Sequence, residues 1–305
     1  MNRKILFIVI ALIVLAACDR PLRGRSIPLT STSAPQQNQS SARTGSFEGT
    51  LTSSGMTRHY LLHIPPSYQG SNAAPLIINF HGYNSDSQQE ENLTGMSAKA
   101  DREGFIVVYP DGINSTWFTG PGEDGQRDQQ FIRDLIASLE TQYSIDSKRI
   151  YATGISNGGG MTDRVACNMA DMIAAIAPDS GAYNFWQDCN PSRPMPVLAF
   201  HGLDDNIVPY EGGTPKIMEP PIEEWAAAWA TRNGCSSIPS ITTPMETVTV
   251  RTWSDCQNNA DVILYTLANH GHSWPGSPIM PKSITSQAVN ATDVMWEFFK
   301  THPMP

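Results

Sequence analysis

Residues Gly154–Gly158, with Ser156 at their centre, have the form G-x-S-x-G. A serine in this pattern acts as a nucleophile when it stands on a sharp turn between a strand and a helix. A β-branched and aromatic run, residues 149–152, precedes the motif, and apolar residues follow it at helical spacing over residues 161–169. This order of strand, turn and helix favours a catalytic serine over a structural turn.

A catalytic serine needs partners elsewhere in the chain. At neutral pH it requires an imidazole to accept its proton, and the imidazole requires a carboxylate to fix its tautomer. His270 and His272 follow the last predicted strand, and Asp204 and Asp205 follow an earlier one. The pattern alone leaves open which histidine is the base and which aspartate is the acid.

The elements that must position these residues are strands that alternate with helices. The predicted strands are residues 75–80, 105–109, 149–152, 173–177, 197–200, 247–250 and 262–267, with a hairpin at 46–51 and 59–64. The predicted helices cover residues 93–102, 127–143, 161–169, 222–229 and 288–300. The alternation indicates an α/β fold with a mostly parallel central sheet and helices on both faces. In such a sheet the site lies beyond the carboxyl ends of the strands.

The composition argues against several other classes of function. The chain has 305 residues, a formal net charge of -9 and no Lys/Arg cluster long enough to follow a phosphate backbone. Binding to nucleic acid is therefore not expected. No P-loop, H-E-x-x-H or C-x-x-C motif is present, so we expect neither a cofactor nor a metal.

Residues 1–18 are predicted to be a lipoprotein signal peptide. A basic start precedes 13 apolar residues, 5–17, which is fewer than the about 20 that span a membrane. The run ends in Leu15-Ala16-Ala17-Cys18, which resembles a bacterial lipobox with Cys18 as the lipid-modified residue. We expect export and a lipid anchor on the outer face of the cytoplasmic membrane or in the periplasm. The alternative is an ordinary signal peptide and secretion.

Two further segments follow the signal peptide. Residues 19–45 are rich in Ser, Thr, Gln, Pro and Arg and contain too few large apolar residues to fold, so they are predicted to be a flexible tether. Residues 46–305 are predicted to form a single catalytic domain.

The domain contains four cysteines, an even number that suggests two disulfides in an exported chain. Proximity in the sequence favours Cys167–Cys189 and Cys235–Cys256 among the three possible pairings. The alternative is that these residues are buried free thiols.

Taken together, the motifs resemble the polyhydroxybutyrate-depolymerase-like and feruloyl esterase group of secreted α/β-hydrolases, of the carbohydrate esterase family 1 type. The resemblance covers residues 46–305 and implies an α/β-hydrolase fold with a Ser-His-Asp triad. Gly154–Gly160 resembles the serine motif of the group, with Ile155 as a conservative departure. His201–Tyr210 resembles H-G-x-x-D-x-x-V-P-Y, which selects Asp205, and Gly271–Gly276 resembles G-H-x-W-P-G, which selects His272.

The same resemblance implies an oxyanion hole. His81-Gly82 is similar to the oxyanion turn of the group, which implies that the backbone N–H groups of Tyr83 and Asn157 are the donors. Tyr83 stands where many members have a smaller residue, and this narrows the expected pocket. Asp128 lies in a stretch that departs from the pattern of the group, so we assign it only structural support. The four domain cysteines also match positions common in the group.

Two tryptophans are candidates for binding substrate. Trp274 stands two residues after His272, where an aromatic side chain can form a pocket wall. Trp117 lies in a loop near an expected strand end. For both residues the alternative is packing against the core.

The function that these expectations favour is a serine carboxylic ester hydrolase, with feruloyl (hydroxycinnamoyl) esters as its first candidate substrates. The first alternative is a depolymerase that acts on polyhydroxyalkanoates, other polyesters or their oligomers. An alternative of another class is an inactive, lipid-tethered binding protein with the same fold. The expected partner is a small or polymer-linked ester; contact with a membrane is expected only through the anchor, and the oligomeric state is left open.

Overall fold

A computed structural model of the protein describes residues 43–213 and 219–305. The predicted signal peptide, the anchor at Cys18 and nearly all of the predicted tether lie outside the described residues. Within the described ranges, no helix is both long enough and apolar enough to cross a membrane.

A ten-stranded sheet forms the centre of the fold, in the order β1-β2-β4-β3-β5-β6-β7-β10-β9-β8. The strands are β1 Gly45–Ser53, β2 Met56–Ile64, β3 Ala74–Phe80, β4 Ile106–Pro110, β5 Ile145–Ile155, β6 Ala175–Asp179, β7 Val197–Gly202, β8 Ser240–Met245, β9 Val248–Trp253 and β10 Val262–Leu267. The run from β4 to β10 is parallel, whereas the strands at both margins are antiparallel. The predicted α/β-hydrolase architecture and the amino-terminal hairpin are confirmed.

Helices cover both faces of this sheet. They are α1 Ser87–Thr94, α2 Met96–Glu103, α3 Glu123–Gln142, α4 Asn157–Asn168, α5 Ile222–Arg232 and α6 Ala291–Thr301. One apolar cluster joins α3, α4 and α5 to the sheet, and a second joins α2 and α6 to the opposite face. Strand β3 contributes Leu76 and Ile78 to the first cluster and Ile77 to the second. Its continuous apolar sequence therefore reflects burial on both sides, as is typical of parallel sheets.

A polar contact ties α5 to α4 inside the first cluster. Trp225 and Trp229 are buried and donate their indole N–H groups to Asp163 of α4, each at 2.9 Å. Tyr183 stacks on Trp225 with ring centroids 3.9 Å apart. Helix α4 is thus attached to α5 at Asp163, near its middle.

Two elements differ from the prediction. The helix predicted over residues 93–102 corresponds to α2, whereas most of α1 was not predicted; Gly95, in a left-handed conformation with φ of +60°, ends α1 and separates the two helices. Strand β8 was not predicted. All six of its residues are exposed at the edge of the sheet, so it lacks the apolar pattern by which a buried strand is recognised.

Both predicted disulfides are present. Cys167 pairs with Cys189, which joins the end of α4 to the loop before β7. Cys235 pairs with Cys256, which joins the segment after α5 to the segment after β9. Such bridges persist in oxidising compartments, which fits an exported protein.

Candidate active site

Ser156 stands on a strained turn between β5 and α4. Its φ is +58° and its ψ is -119°, a conformation that a residue with a side chain rarely adopts. The turn presses against the end of β3: a Cβ added at Gly154 or Gly158 would lie 2.5 or 2.0 Å from the Phe80 carbonyl oxygen. The two glycines are therefore required by the close approach of two backbones, which the motif alone did not reveal.

The site is assembled by two pairs of adjacent strands, β3 with β5 and β7 with β10. Phe80 at the end of β3 pairs with Gly154 of β5, so the turn at His81–Tyr83 meets the turn at Ser156. A Cβ at Gly82 would lie 3.6 Å from the Ser156 Cβ.

On the other side of the site, β7 pairs with β10. Gly202 and Leu267 are partners in the register, so the loops that follow these strands run together. Asp205 lies on the first loop and His272 on the second, which brings into contact two residues that are 67 positions apart.

The hydrogen bond between these residues is 2.7 Å long, from His272 Nδ1 to Asp205 Oδ2. The other carboxylate oxygen, Oδ1, accepts from the N–H groups of Ile207 and Val208, each at 2.9 Å. Burial by itself would raise the pKa of Asp205, but the hydrogen bond and charge of His272 and the Val208 N–H outweigh it. The pKa of Asp205 is therefore below its ordinary value, and the carboxylate is charged.

The neighbouring candidates have other surroundings. Asp204 is exposed. His270 is buried, with Nε2 bound to the Ser273 carbonyl oxygen and Nδ1 accepting from the Ser286 N–H, each at 2.8 Å. The structure thus joins Asp205 to His272, the two residues that the resemblance selected, and gives His270 a structural place within its own loop.

His201 also lies close to Asp205, a contact that the sequence did not reveal. Its Nε2 donates to the Val208 carbonyl oxygen at 2.8 Å and lies 3.5 Å from Asp205 Oδ2. Burial lowers the pKa of His201 to about 4, so the ring is neutral. It holds the Asp205 loop through this bond without adding a charge beside the carboxylate.

The turn after β3 is held by a network around Trp117. His81 is buried; its Nδ1 contacts the Gly82 carbonyl oxygen at 2.7 Å, and its Nε2 accepts from the Gly112 N–H at 2.9 Å. The Trp117 indole donates to the His81 carbonyl oxygen at 3.1 Å. Tyr83 follows and is 73% exposed.

The side chain of Asn157 extends this network to the serine turn. Its Oδ1 accepts from the Trp117 N–H at 2.7 Å, and its Nδ2 donates to the Trp117 carbonyl oxygen at 3.0 Å. Asn157 is also the first residue of α4, so its own N–H has no partner within the helix. The two predicted oxyanion donors therefore lie on turns that Trp117 connects.

A cavity of about 220 Å³ opens at the serine and includes His272 in its wall. Its other walls are the turn at Gly82 and Tyr83 together with Ser85, Glu90, Leu93, Ile155, Ser273 and Met280. A second cavity, of about 440 Å³, includes Asn157 and the aromatic residues Trp117, Phe118 and Phe185. The serine turn therefore borders two separate spaces.

Two buried acids near this turn were not recognised in the sequence. Asp179, at the end of β6, accepts the Ser156 N–H through its backbone carbonyl at 3.0 Å, yet its carboxyl oxygens have no hydrogen-bond partner among the described residues. The same is true of Glu90 on α1. Burial raises the pKa of both groups well above the ordinary range, and for Asp179 the negative charge of Asp205 adds to the effect.

The prediction that Trp274 forms a pocket wall is corrected by its position. It is fully buried in the second apolar cluster, and its indole donates to Thr292 Oγ1 at 3.0 Å. Trp274 thus packs beneath the loop that carries His272, which is the packing alternative. Trp117 borders the second cavity but is only 3% exposed, so most of its surface also packs.

Asp128 of α3 has the supporting position assigned to it. It is buried, pairs with Arg58 at 2.9 Å and accepts the Phe118 N–H at 2.9 Å, next to the loop that carries Trp117.

In the described part of the chain, no group of three or more His, Cys, Asp or Glu side chains is arranged to hold a metal ion.

Several known proteins are similar to this chain in sequence or in fold. The sequence family described as "Esterase PHB depolymerase" matches residues 58–202. Feruloyl esterase C of Emericella nidulans is 30% identical over 253 residues, which cover 79% of this chain and 83% of that protein. The chain belongs to this family of carboxylic ester hydrolases.

Two further proteins are similar to this chain, one over part of its own length and one in fold at low sequence identity. Feruloyl esterase B of Piromyces equi is 34% identical over 232 residues, which cover 71% of this chain but 42% of that protein, so the chain spans less than half of the relative's length. An acetyl xylan esterase from Aspergillus awamori superposes with a TM-score of 0.61, covering 83% of this chain and 99% of that chain at 15% identity. That likeness concerns the fold alone.

Proposed function

We propose that the protein is a serine carboxylic ester hydrolase that works through Ser156, His272 and Asp205. The observation that carries the proposal is that Ser156 and His272 line one cavity while Asp205 holds His272 by a 2.7 Å hydrogen bond. With Nδ1 engaged by the acid, Nε2 is the ring nitrogen available to the serine. This is the arrangement that activates a hydroxyl group for acyl transfer.

In the proposed reaction, His272 takes the proton of Ser156 as the serine oxygen attacks the ester carbonyl carbon. The carbon–oxygen bond to the alcohol then breaks, and the imidazolium of His272 protonates the leaving alcohol. Water, deprotonated by His272, then attacks the acyl carbon; the bond to the Ser156 oxygen breaks, the imidazolium returns the proton to that oxygen, and the carboxylic acid is released. Asp205 stabilises the imidazolium at each stage because its carboxylate is charged.

The backbone N–H groups of Tyr83 and Asn157 are the proposed donors to the oxyanion. Each such donor contributes about 3 kcal/mol to transition-state stabilisation in serine hydrolases. The contacts from Trp117 to both turns support this assignment, because they hold the donors in place before charge develops.

The proposed substrates are hydroxycinnamoyl esters such as feruloyl esters. Two feruloyl esterases among the relatives support this choice. The cavity at Ser156 has apolar walls at Leu93, Ile155 and Met280, which suit an aromatic acyl group, and the second cavity suits the alcohol part. The family description keeps aliphatic polyesters as the second candidate.

Two measurements test this function. Ser156→Ala is expected to lower kcat by about 10³-fold or more while the far-UV circular dichroism spectrum stays unchanged. A fluorophosphonate should label the wild-type protein at Ser156, as found by peptide mapping. An active Ser156→Ala variant would exclude the mechanism, and a wild-type protein that hydrolyses no ester and takes up no label would be a binding protein instead.

A substrate panel separates the two ester classes. Methyl ferulate, short acyl nitrophenyl esters and hydroxybutyrate oligomers are compared at equal enzyme concentration. The highest kcat/KM is expected for methyl ferulate, whereas a preference for the oligomers would identify a depolymerase.

We also propose that the mature protein is exported and held at a membrane by lipid on Cys18. The two disulfides support export. Globomycin, which blocks the lipoprotein signal peptidase, is expected to leave the precursor uncleaved in a bacterial host. Normal processing in its presence would exclude the lipid anchor and leave ordinary secretion.

A further inference from the structure

Glu90 is an acidic residue in an unusual position. It lies on α1 and is 1% exposed, yet it forms part of the wall of the cavity that contains Ser156 and His272. Neither of its carboxyl oxygens has a hydrogen-bond partner among the described residues. Buried carboxyl groups are normally paired, so an unpaired one in a cavity wall requires an explanation.

The surroundings of Glu90 favour the uncharged acid. An ionised carboxylate without a partner is very costly to bury, and the nearby buried acid Asp179 offers no compensating charge. The neutral form has one O–H donor and retains a carbonyl acceptor. Glu90 can therefore donate to and accept from one neutral polar group.

The other polar side chains of the cavity wall are Tyr83, Ser85 and Ser273, and the Ser273 hydroxyl is already bonded to Thr285 and to the Ile284 carbonyl oxygen. Leu93, Ile155 and Met280 are its apolar walls, and Ser156 and His272 are reserved for the reaction. A substrate that fills this space thus meets apolar surface along its body and a polar contact at Glu90.

We propose that Glu90 is a specificity-determining residue that hydrogen-bonds a hydroxyl group carried by the acyl part of the ester. This inference rests on the proposed esterase function. The acyl part is assigned to this cavity because the alcohol of a polymer-linked ester must extend toward solvent, whereas Glu90 lies deep in the wall. The substrate class is an acyl group with an apolar body and a distal hydroxyl group.

Paired substrates test the assignment directly. Wild-type kcat/KM is expected to be about 10-fold or more higher for methyl 4-hydroxycinnamate than for methyl cinnamate, since a hydrogen bond to a buried polar group is lost in the second case. Glu90→Met keeps the length of the side chain without its polar group and should reduce this ratio to near one. Glu90→Gln keeps a donor and an acceptor and should retain most of the ratio.

The neighbouring Glu91 is the matched control. It lies on the same helix and bonds to Gln88 and Ser97, and it is not part of the cavity wall. Glu91→Met is expected to leave the substrate ratio at the wild-type value. A merely structural role of Glu90 would lower kcat/KM for both substrates equally in Glu90→Met, and that result would overturn the assignment.

Further outcomes keep the inference separate from the proposed function. A wild-type ratio near one overturns the role of Glu90 even if no variant folds. If Ser156-dependent hydrolysis of 4-nitrophenyl acetate is present at the same time, the esterase function stands and only the inference fails. If Ser156→Ala retains that activity, the proposed function itself fails.

Discussion

Asp205 and the pair Glu90 and Asp179 are all buried acids beside the serine turn, but they have opposite electrostatic states. Asp205 accepts three hydrogen bonds, from His272, Ile207 and Val208, and its pKa lies below the ordinary value. Glu90 and Asp179 have no partners for their carboxyl oxygens among the described residues, and their pKa values are raised. Burial is common to all three, so it is the presence of donors that decides whether a buried acid is charged.

The difference corresponds to two kinds of chemistry. A charged acid stabilises an imidazolium, which the reaction needs on the side of His272. A neutral acid can donate a hydrogen bond, which recognition of an uncharged substrate needs in the cavity wall. In the proposed mechanism the same residue type thus serves the reaction at Asp205 and its specificity at Glu90, according to the N–H groups that surround it.

The largest expected effect comes from removing the charge of Asp205. Asp205→Asn is expected to lower kcat by about 10³- to 10⁴-fold. The amide N–H would donate to Nδ1 of His272 and leave the ring proton on Nε2, so that Nε2 could no longer accept the proton of Ser156. Steady-state kinetics with a nitrophenyl ester measure the loss. Asp204→Asn, at the adjacent exposed position, should leave kcat unchanged, and equal losses in the two variants would contradict the assignment of the acid.

A smaller effect, on the free energy of unfolding, is expected from replacing Asp179. The pKa of Asp179 is raised in the folded state, so between the unfolded value and the folded value the unfolded chain binds fewer protons and stability falls as pH rises. Asp179→Asn removes this penalty. The variant is expected to be more stable than the wild type by about 1–3 kcal/mol near pH 8, and by less near pH 5.

Thermal unfolding at the two pH values measures this difference. Asp204→Asn again serves as the control, because the residue is exposed, and its effect on stability should be small at both pH values. If Asp179→Asn is destabilising by the same amount at both pH values, the carboxyl group of Asp179 is charged in the folded protein and has a hydrogen-bond or ion-pair partner.

Much of the fold could be predicted from the sequence because β3, β4, β6 and β7 are buried throughout and are recognisable as apolar runs. The resemblance also separated Asp205 from Asp204, which the local pattern could not do, since adjacent residues in one loop differ only in where the folded backbone points them. The edge strand β8 escaped prediction because its residues are exposed, and the break at Gly95 because one glycine does not reveal a left-handed conformation.

Burial set the limit for single side chains. Glu90 occupies a polar stretch, Gln88–Asn92, that looks like the solvent face of a helix, and only the fold turns it inward. Trp274 failed as a pocket residue for the same reason in reverse: its distance from His272 in the sequence is short, but its side chain points into the core. Proximity along a chain says little about the direction of a side chain.

The proposed reacting groups all follow strands of the central sheet, whereas Glu90 lies on α1, a short helix outside the strand ladder. Residues on α1 can therefore change without shifting the register that brings Ser156, Asp205 and His272 together. During divergence of such esterases, new acyl preferences would then arise by replacing a helix surface, while the inherited machinery of acyl transfer is left intact.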